Sequence, residues 1–140
     1  MLDPDSLHHR HDVKVYWEDT DAGGIVYYAN YLKFIERARS EMVQELGIDQ
    51  TDLLDREEIM FAVKRCILDY HFPARLGDEL YVETTIGKLG GASMELQQLV
   101  KRDEELLVAA DVRLACIDLG GRPRRLPIAI KEKLAPLFRH

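Results

Sequence analysis

Apolar residues recur along the chain at two spacings. Val13, Val15 and Trp17 alternate with Lys14 and Tyr16, the period of two expected of a half-buried strand. From Asn30 the spacing changes: Tyr31, Phe34, Ile35, Ala38, Met42 and Leu46 recur at three and four residues, which predicts a helix of about four to five turns. Asn30 suits its N-cap, and Gly47 suits a left-handed stop. Leu32, Glu36, Arg39 and Val43 form a second, mixed stripe, so this helix is expected to be contacted around much of its circumference, as by a wrapping sheet.

After a polar connection from Thr51 to Glu58, the β-branched and aromatic run Ile59 to Phe72 predicts a long strand closed by Pro73. Ala74 to Asp78 reads as a turn. Leu80, Val82, Thr84 and Ile86 alternate with polar neighbours until the glycines of 87–91 break the run. Met94, Leu96 and Val100 then alternate against Glu95, Gln97 and Lys101. Asp103 and Glu104 turn the chain again, and Leu106, Val108, Ala110, Val112, Leu114 and Cys116 mark one face of the next strand. Strands joined by such short turns make an antiparallel meander. Pro127 opens a closing helix with Ile128, Ile130 and Leu134. One strand, one long helix and then four strands, without βαβ alternation, predict an α+β domain over residues 1–140, its helix being the sheet's main apolar partner.

Composition narrows the function classes. A formal charge of −6 argues against non-specific nucleic-acid binding, which depends on Lys and Arg neutralising phosphates. The opening Met1 to Leu7 lacks a secretory pattern, and no apolar run approaches the ~20 residues that span a bilayer, so a soluble cytoplasmic protein is expected. Cys66 and Cys116 lie in strand-like runs and are expected to be buried free thiols. His8, His9 and His11 lack a completing metal-ligand spacing and read as a solvated tail.

Candidate chemistry gathers between the first strand and the helix. Asp21 precedes Gly23 and Gly24, which let backbone approach a ligand, and the helix start offers unpaired N–H groups at a positive dipole end. A carboxylate and those N–H groups could attack and polarise one carbonyl from opposite sides. Alternatively, Glu18, Asp19 and Asp21 are a solvated acidic turn with capping duties. Ser40 and Ser93 lack a nucleophile-elbow setting. Lys88, Arg122, Arg124 and Arg125 could meet phosphates or be ordinary surface charges.

The segment Trp17 to Glu41, with Glu18-Asp19-Thr20-Asp21-Ala22-Gly23-Gly24-Ile25-Val26-Tyr27-Tyr28-Ala29-Asn30-Tyr31 followed by Phe34 to Glu41, strongly resembles the hot-dog acyl-CoA thioesterases of the Tol–Pal-associated and hydroxybenzoyl-CoA branches. The element order carries the resemblance over nearly the whole chain, and the Leu76-Gly77-Asp78 turn shares it. The resemblance implies a hot-dog fold, a curved five-stranded antiparallel sheet around a long central helix from Asn30 to Leu46. It also implies hydrolysis of acyl-CoA to a carboxylic acid and free CoA, no metal or redox cofactor, and a homodimer or homotetramer with interfacial sites.

By the same resemblance Asp21 is the catalytic carboxylate, acting as general base or nucleophile, and the backbone N–H of Tyr28 polarises the thioester carbonyl. Gly24 and Val26 are expected substrate contacts on this loop, and residues 61–64, with Phe61 and Val63, are expected to line the acyl pocket from a neighbouring subunit. Many members of the Tol–Pal branch have His where this chain has Tyr28, whereas the hydroxybenzoyl branch has Tyr. The rival readings are a non-catalytic acyl-thioester-binding or scaffold module of the same fold, and a dehydratase. A mere binding pocket gains nothing from a buried carboxylate, which favours an enzyme.

Overall fold

A computed structural model describes residues 2–3 and 8–138. The remaining residues of the Met1 to Leu7 stretch, on which the absence of a secretory pattern was read, lie outside that range. The described residues form six strands: β1 (Leu2–Asp3), β2 (His8–Lys14), β3 (Met60–Tyr70), β4 (Glu79–Leu89), β5 (Ser93–Arg102) and β6 (Glu105–Ile117). They form one antiparallel sheet in the order β1-β2-β4-β5-β6-β3, five full strands as expected plus the two-residue β1 paired to His8 and His9. The meander β4-β5-β6 is its centre, and β3 is a bare edge.

The helix α1 (Tyr31–Glu45) lies against the sheet with Tyr31, Phe34, Ile35, Ala38, Met42 and Val43 buried. Phe34, Ile35 and Ala38 are fully enclosed, and burying each large side chain of this kind contributes about 1.5–3 kcal/mol. A helix of this length is marginal alone, so packing holds it. Gly47 ends it with φ +81°: its N–H bonds Gln44 O at 3.0 Å, and the Ile48 N–H bonds Val43 O at 3.0 Å, satisfying two end carbonyls while Ile48 packs down onto the core. Of the second stripe, Val43 is buried and Arg39 half-buried, but Leu32 and Glu36 are exposed in the single chain. Beyond a short helix α2 (Gln50–Asp52), α3 (Ile128–Leu134) closes the chain with Ile130 and Leu134 buried.

Several expectations are corrected. The three histidines are not a solvated tail: they lie in β2, and His9 is buried with Nε2 2.9 Å from Glu45 Oε2 at the end of α1. Burial lowers the His9 pKa despite that carboxylate. The first strand ends at Lys14, and Trp17, expected inside, is 78% exposed. Its displacement follows from the Tyr16 N–H donating to Asp19 Oδ2 at 2.8 Å, which bends Trp17–Asp19 into a 3-10 turn. Residue Gly87 does not end β4; the pairing slips there and the strand runs on to Leu89, a bulge of the kind glycine permits. A second slip opposite Val100 and Lys101 buries Leu107 and leaves Leu106 half-exposed. Cys116 is buried, but Cys66 is only half-buried because it lies on the edge strand.

The core also holds a polar residue. Gln98 is fully buried; its Nε2 donates to Ile35 O at 2.9 Å and Thr84 Oγ1 at 3.0 Å, and its Oε1 accepts from an Arg39 guanidinium nitrogen at 2.9 Å. These bonds pin α1 to the middle of the sheet, and a buried amide without them would destabilise the fold by about 1–3 kcal/mol.

Candidate active site

The loop from Val15 to Asn30 is seated on the turn that joins β3 to β4. Val26 N–H bonds Ala74 O at 2.8 Å, Leu76 N–H bonds Gly24 O at 3.1 Å, and Val15 exchanges bonds with Gly77 and Asp78. Asp78 braces that turn by accepting from the Arg75 N–H and from Arg102 at 2.8 and 2.7 Å. Arg102 also bonds Glu105. Burial pushes the Asp78 carboxyl up, but the Arg75 N–H and the Arg102 guanidinium outweigh it and hold the pKa below the ordinary value.

Within the loop the acids divide. Asp19 is buried; besides binding the Tyr16 N–H, its carbonyl accepts from the Tyr27 N–H at 3.0 Å and from Asn30 Nδ2 at 2.9 Å. Asn30 is therefore not the expected side-chain N-cap. It belongs to a 3-10 turn, Tyr28–Asn30, that feeds α1, and its amide ties that turn to Asp19.

Asp21 lies at the loop tip, exposed in the single chain rather than buried. Its N–H bonds Ile25 O at 2.9 Å and its carbonyl accepts from the Gly24 N–H at 3.1 Å, closing a turn in which Gly24 takes φ +79°. That left-handed backbone is a demand of the turn itself. One carboxylate oxygen, Oδ1, accepts from the Gly23 N–H at 2.8 Å. The other oxygen has no protein donor among the described residues. Asp21 thus holds the turn, as the alternative of a solvated acidic turn has it, with half its carboxylate left over.

Tyr28 opens the 3-10 turn at the N-terminal end of α1, and its N–H meets no acceptor among the described residues. Such an N–H sits at the positive end of the helix and suits a developing oxyanion. Beside it is a hollow of about 310 Å³ whose lining includes Ile25, Val26, Tyr28, Tyr31, Tyr70 and Phe72. Val26 and Tyr31 form its buried floor. The Tyr31 hydroxyl accepts from the Ala74 N–H at 3.0 Å, and burial raises its pKa. Tyr70 and Phe72 were not singled out from the sequence; the aromatic pair just before the strand-ending Pro73 was the available signal.

Asp21, Gly24, Val26 and Tyr28 therefore come together on one loop. Phe61 and Val63 do not join them. They lie at the other end of β3, with Phe61 nine residues from Tyr70, about 30 Å at ~3.3 Å per residue. There they line a cleft of about 240 Å³ with Arg39, Met42, Val43 and Leu114. Arg122, Arg124 and Arg125 are exposed on a loop at that same far end, where Arg124 N–H bonds Cys116 O and Cys116 pairs with Phe61. Among the described residues, no three His, Cys, Asp or Glu side chains converge as metal ligands, and no helix is long and apolar enough to cross a membrane.

A sheet wrapped on one long helix, with a carboxylate loop at the helix start, defines a hot-dog α+β protein of the thioesterase type. The thioesterase-like superfamily model matches residues 15–135, and the chain belongs to that family. Over 128 residues it is 41% identical to the acyl-CoA thioesterase YbgC of Haemophilus influenzae, covering 91% of this chain and 92% of that one. It is 42% identical over 123 residues to the acyl-CoA thioester hydrolase YbgC of Escherichia coli, covering 86% and 91%. Among solved structures, a probable thioesterase from Bartonella henselae superposes with a TM-score of 0.82 at 37% identity, covering 86% of this chain and 99% of that one.

Proposed function

We propose that this protein hydrolyses acyl-CoA thioesters to a carboxylic acid and free CoA. The observation that carries the reading is one loop that presents a half-free Asp21 carboxylate at its tip and, where it meets the helix, an unpaired N–H beside an apolar hollow. The thioester carbonyl accepts from the Tyr28 N–H, which stabilises the negative charge that forms on its oxygen. Asp21 either takes a proton from water as the water oxygen bonds the carbonyl carbon, or itself bonds that carbon. In both routes the C–S bond breaks and CoA leaves as the thiol after protonation. In the second, the resulting mixed anhydride is then opened by water. Single turnover in labelled water separates the two, because only the anhydride route can leave label in Asp21.

The active unit is a pair of chains. β3 is an unpaired edge exposing Val63 and Ile67, and its two ends carry the two halves of the expected site. An antiparallel pairing of two β3 edges about a two-fold axis sets the Phe61 and Val63 end of one copy beside the Tyr28 end of the other. A thioester substrate and two free cysteines fit action in the cytoplasm.

The test is turnover of a panel of acyl-CoAs by the purified protein and by Asp21→Asn, with the same preparations sized by sedimentation. Turnover by the wild type and a loss of two orders of magnitude or more in the variant is expected. Equal turnover would remove Asp21 from the chemistry, and tight binding without turnover would favour an acyl-thioester-binding module. A fully active monomer would overturn the two-chain site.

A further inference from the structure

Tyr70 ends the edge strand, yet its phenol reaches 42 residues back in the chain, donating to the Tyr28 carbonyl oxygen at 3.1 Å. Its ring stands edge-on to Tyr28 at 6.3 Å between centroids and to Tyr31 at 5.8 Å. Core packing does not require this hydroxyl, since Tyr70 is 49% exposed. Other bonds hold the 3-10 turn at Ala29 and Asn30: the Tyr31 N–H bonds Ala29 O, the Asn30 N–H bonds Tyr27 O, and the Asn30 side chain bonds Asp19 O. Among the described residues, Tyr70 is the only side chain that bonds the main chain of Tyr28.

We propose that Tyr70 is a positioning residue for thioester hydrolysis: its phenol fixes the peptide between Tyr28 and Ala29 and so aims the helix-start N–H groups at the oxyanion. The inference rests on the reading of Tyr28 given above. Holding the Tyr28 carbonyl fixes the backbone on the far side of its Cα, which leaves the Tyr28 N–H less freedom to swing. The same bond polarises the Tyr28–Ala29 peptide and makes the Ala29 N–H a stronger donor. Oxyanion stabilisation depends on donors already in place when charge develops, and a site loosened by about 1 Å loses much of it. Burial, and after it the nearby phenols and the Cys66 thiol, raises the Tyr70 pKa, so the hydroxyl remains a donor at neutral pH.

Tyr70→Phe removes the hydroxyl and keeps the ring. Its kcat is expected to fall about tenfold, ~1.4 kcal/mol of barrier, with KM within about twofold and the unfolding midpoint unchanged. A kcat within twofold of wild type, while Asp21→Asn is inactive, overturns the role of Tyr70 and leaves the thioesterase reading standing. A raised KM with unchanged kcat also overturns it, making Tyr70 a plain acyl contact. If the wild type turns over no acyl-CoA, the thioesterase reading fails, and positioning is read from the backbone N–H order parameters of Tyr28 and Ala29 by NMR relaxation. A clear drop in Tyr70→Phe supports it; unchanged order parameters reject it.

Discussion

Asp19 and Asp21 stand two residues apart in one loop and put their carboxyl groups to opposite uses. Asp19 is 6% exposed and binds the Tyr16 N–H, while its carbonyl gathers Tyr27 and Asn30, so it sets the path of the loop. Asp21 holds only the Gly23 N–H and faces solvent. A base or nucleophile needs a free lone pair and room for water or substrate, and only Asp21 has both. The buried acid is architectural, and the one exposed in the single chain is available for chemistry.

The sharpest contrast is in the two substitutions themselves. Asp21→Asn is expected to cut kcat by about 10²–10⁴ with little change in unfolding midpoint, read by acyl-CoA turnover beside thermal melting. Asp19→Ala should do the reverse in its primary effect, lowering stability by ~1–3 kcal/mol because the Tyr16 N–H loses its carboxylate acceptor, measured by urea unfolding. Should Asp19→Ala prove as stable as wild type, the division between the two acids collapses.

The platform beneath the loop gives a smaller, pH-dependent effect. The folded-state pKa of Asp78 is depressed, so its stabilisation is full above the unfolded value near 3.8 and is lost as pH falls through the folded one. Asp78→Asn is expected to lower stability by ~1–2 kcal/mol at pH 7, with the difference from wild type vanishing as pH falls through the depressed folded-state pKa of Asp78. A gap that persisted in acid would mean that Asp78 acts by shape rather than charge. Smallest of all, Tyr28→Phe should lower kcat by no more than about threefold, because its part is played by backbone. A loss matching that of Asp21→Asn would give the phenol a chemical role.

Much of the scaffold was legible because it is periodic. The three-and-four spacing from Tyr31 to Met42 located the helix face, the alternation from Leu80 to Cys116 located the meander, and Gly47 marked the stop. The errors fell where a single side chain overrode the period. Asp19 turned Trp17 outward, Gly87 absorbed a bulge without ending its strand, and Asn30 bonded back to the loop in place of capping the helix. The loop residues Asp21, Gly24, Val26 and Tyr28 could be read together because they are contiguous in sequence.

By itself, then, the sequence determined the α+β element order, the helix face and the loop that carries the candidate chemistry, since these depend on spacing within a few residues. Only the tertiary structure decided which acid is free, that Tyr70 and Phe72 stand beside Tyr28, and that Phe61 and Val63 lie at the far end of the same strand. The positions of Tyr70, Phe72, Phe61 and Val63 follow from β3 crossing to the sheet edge beside β6, a placement set by burial and hydrogen bonding across the whole domain and by no local pattern.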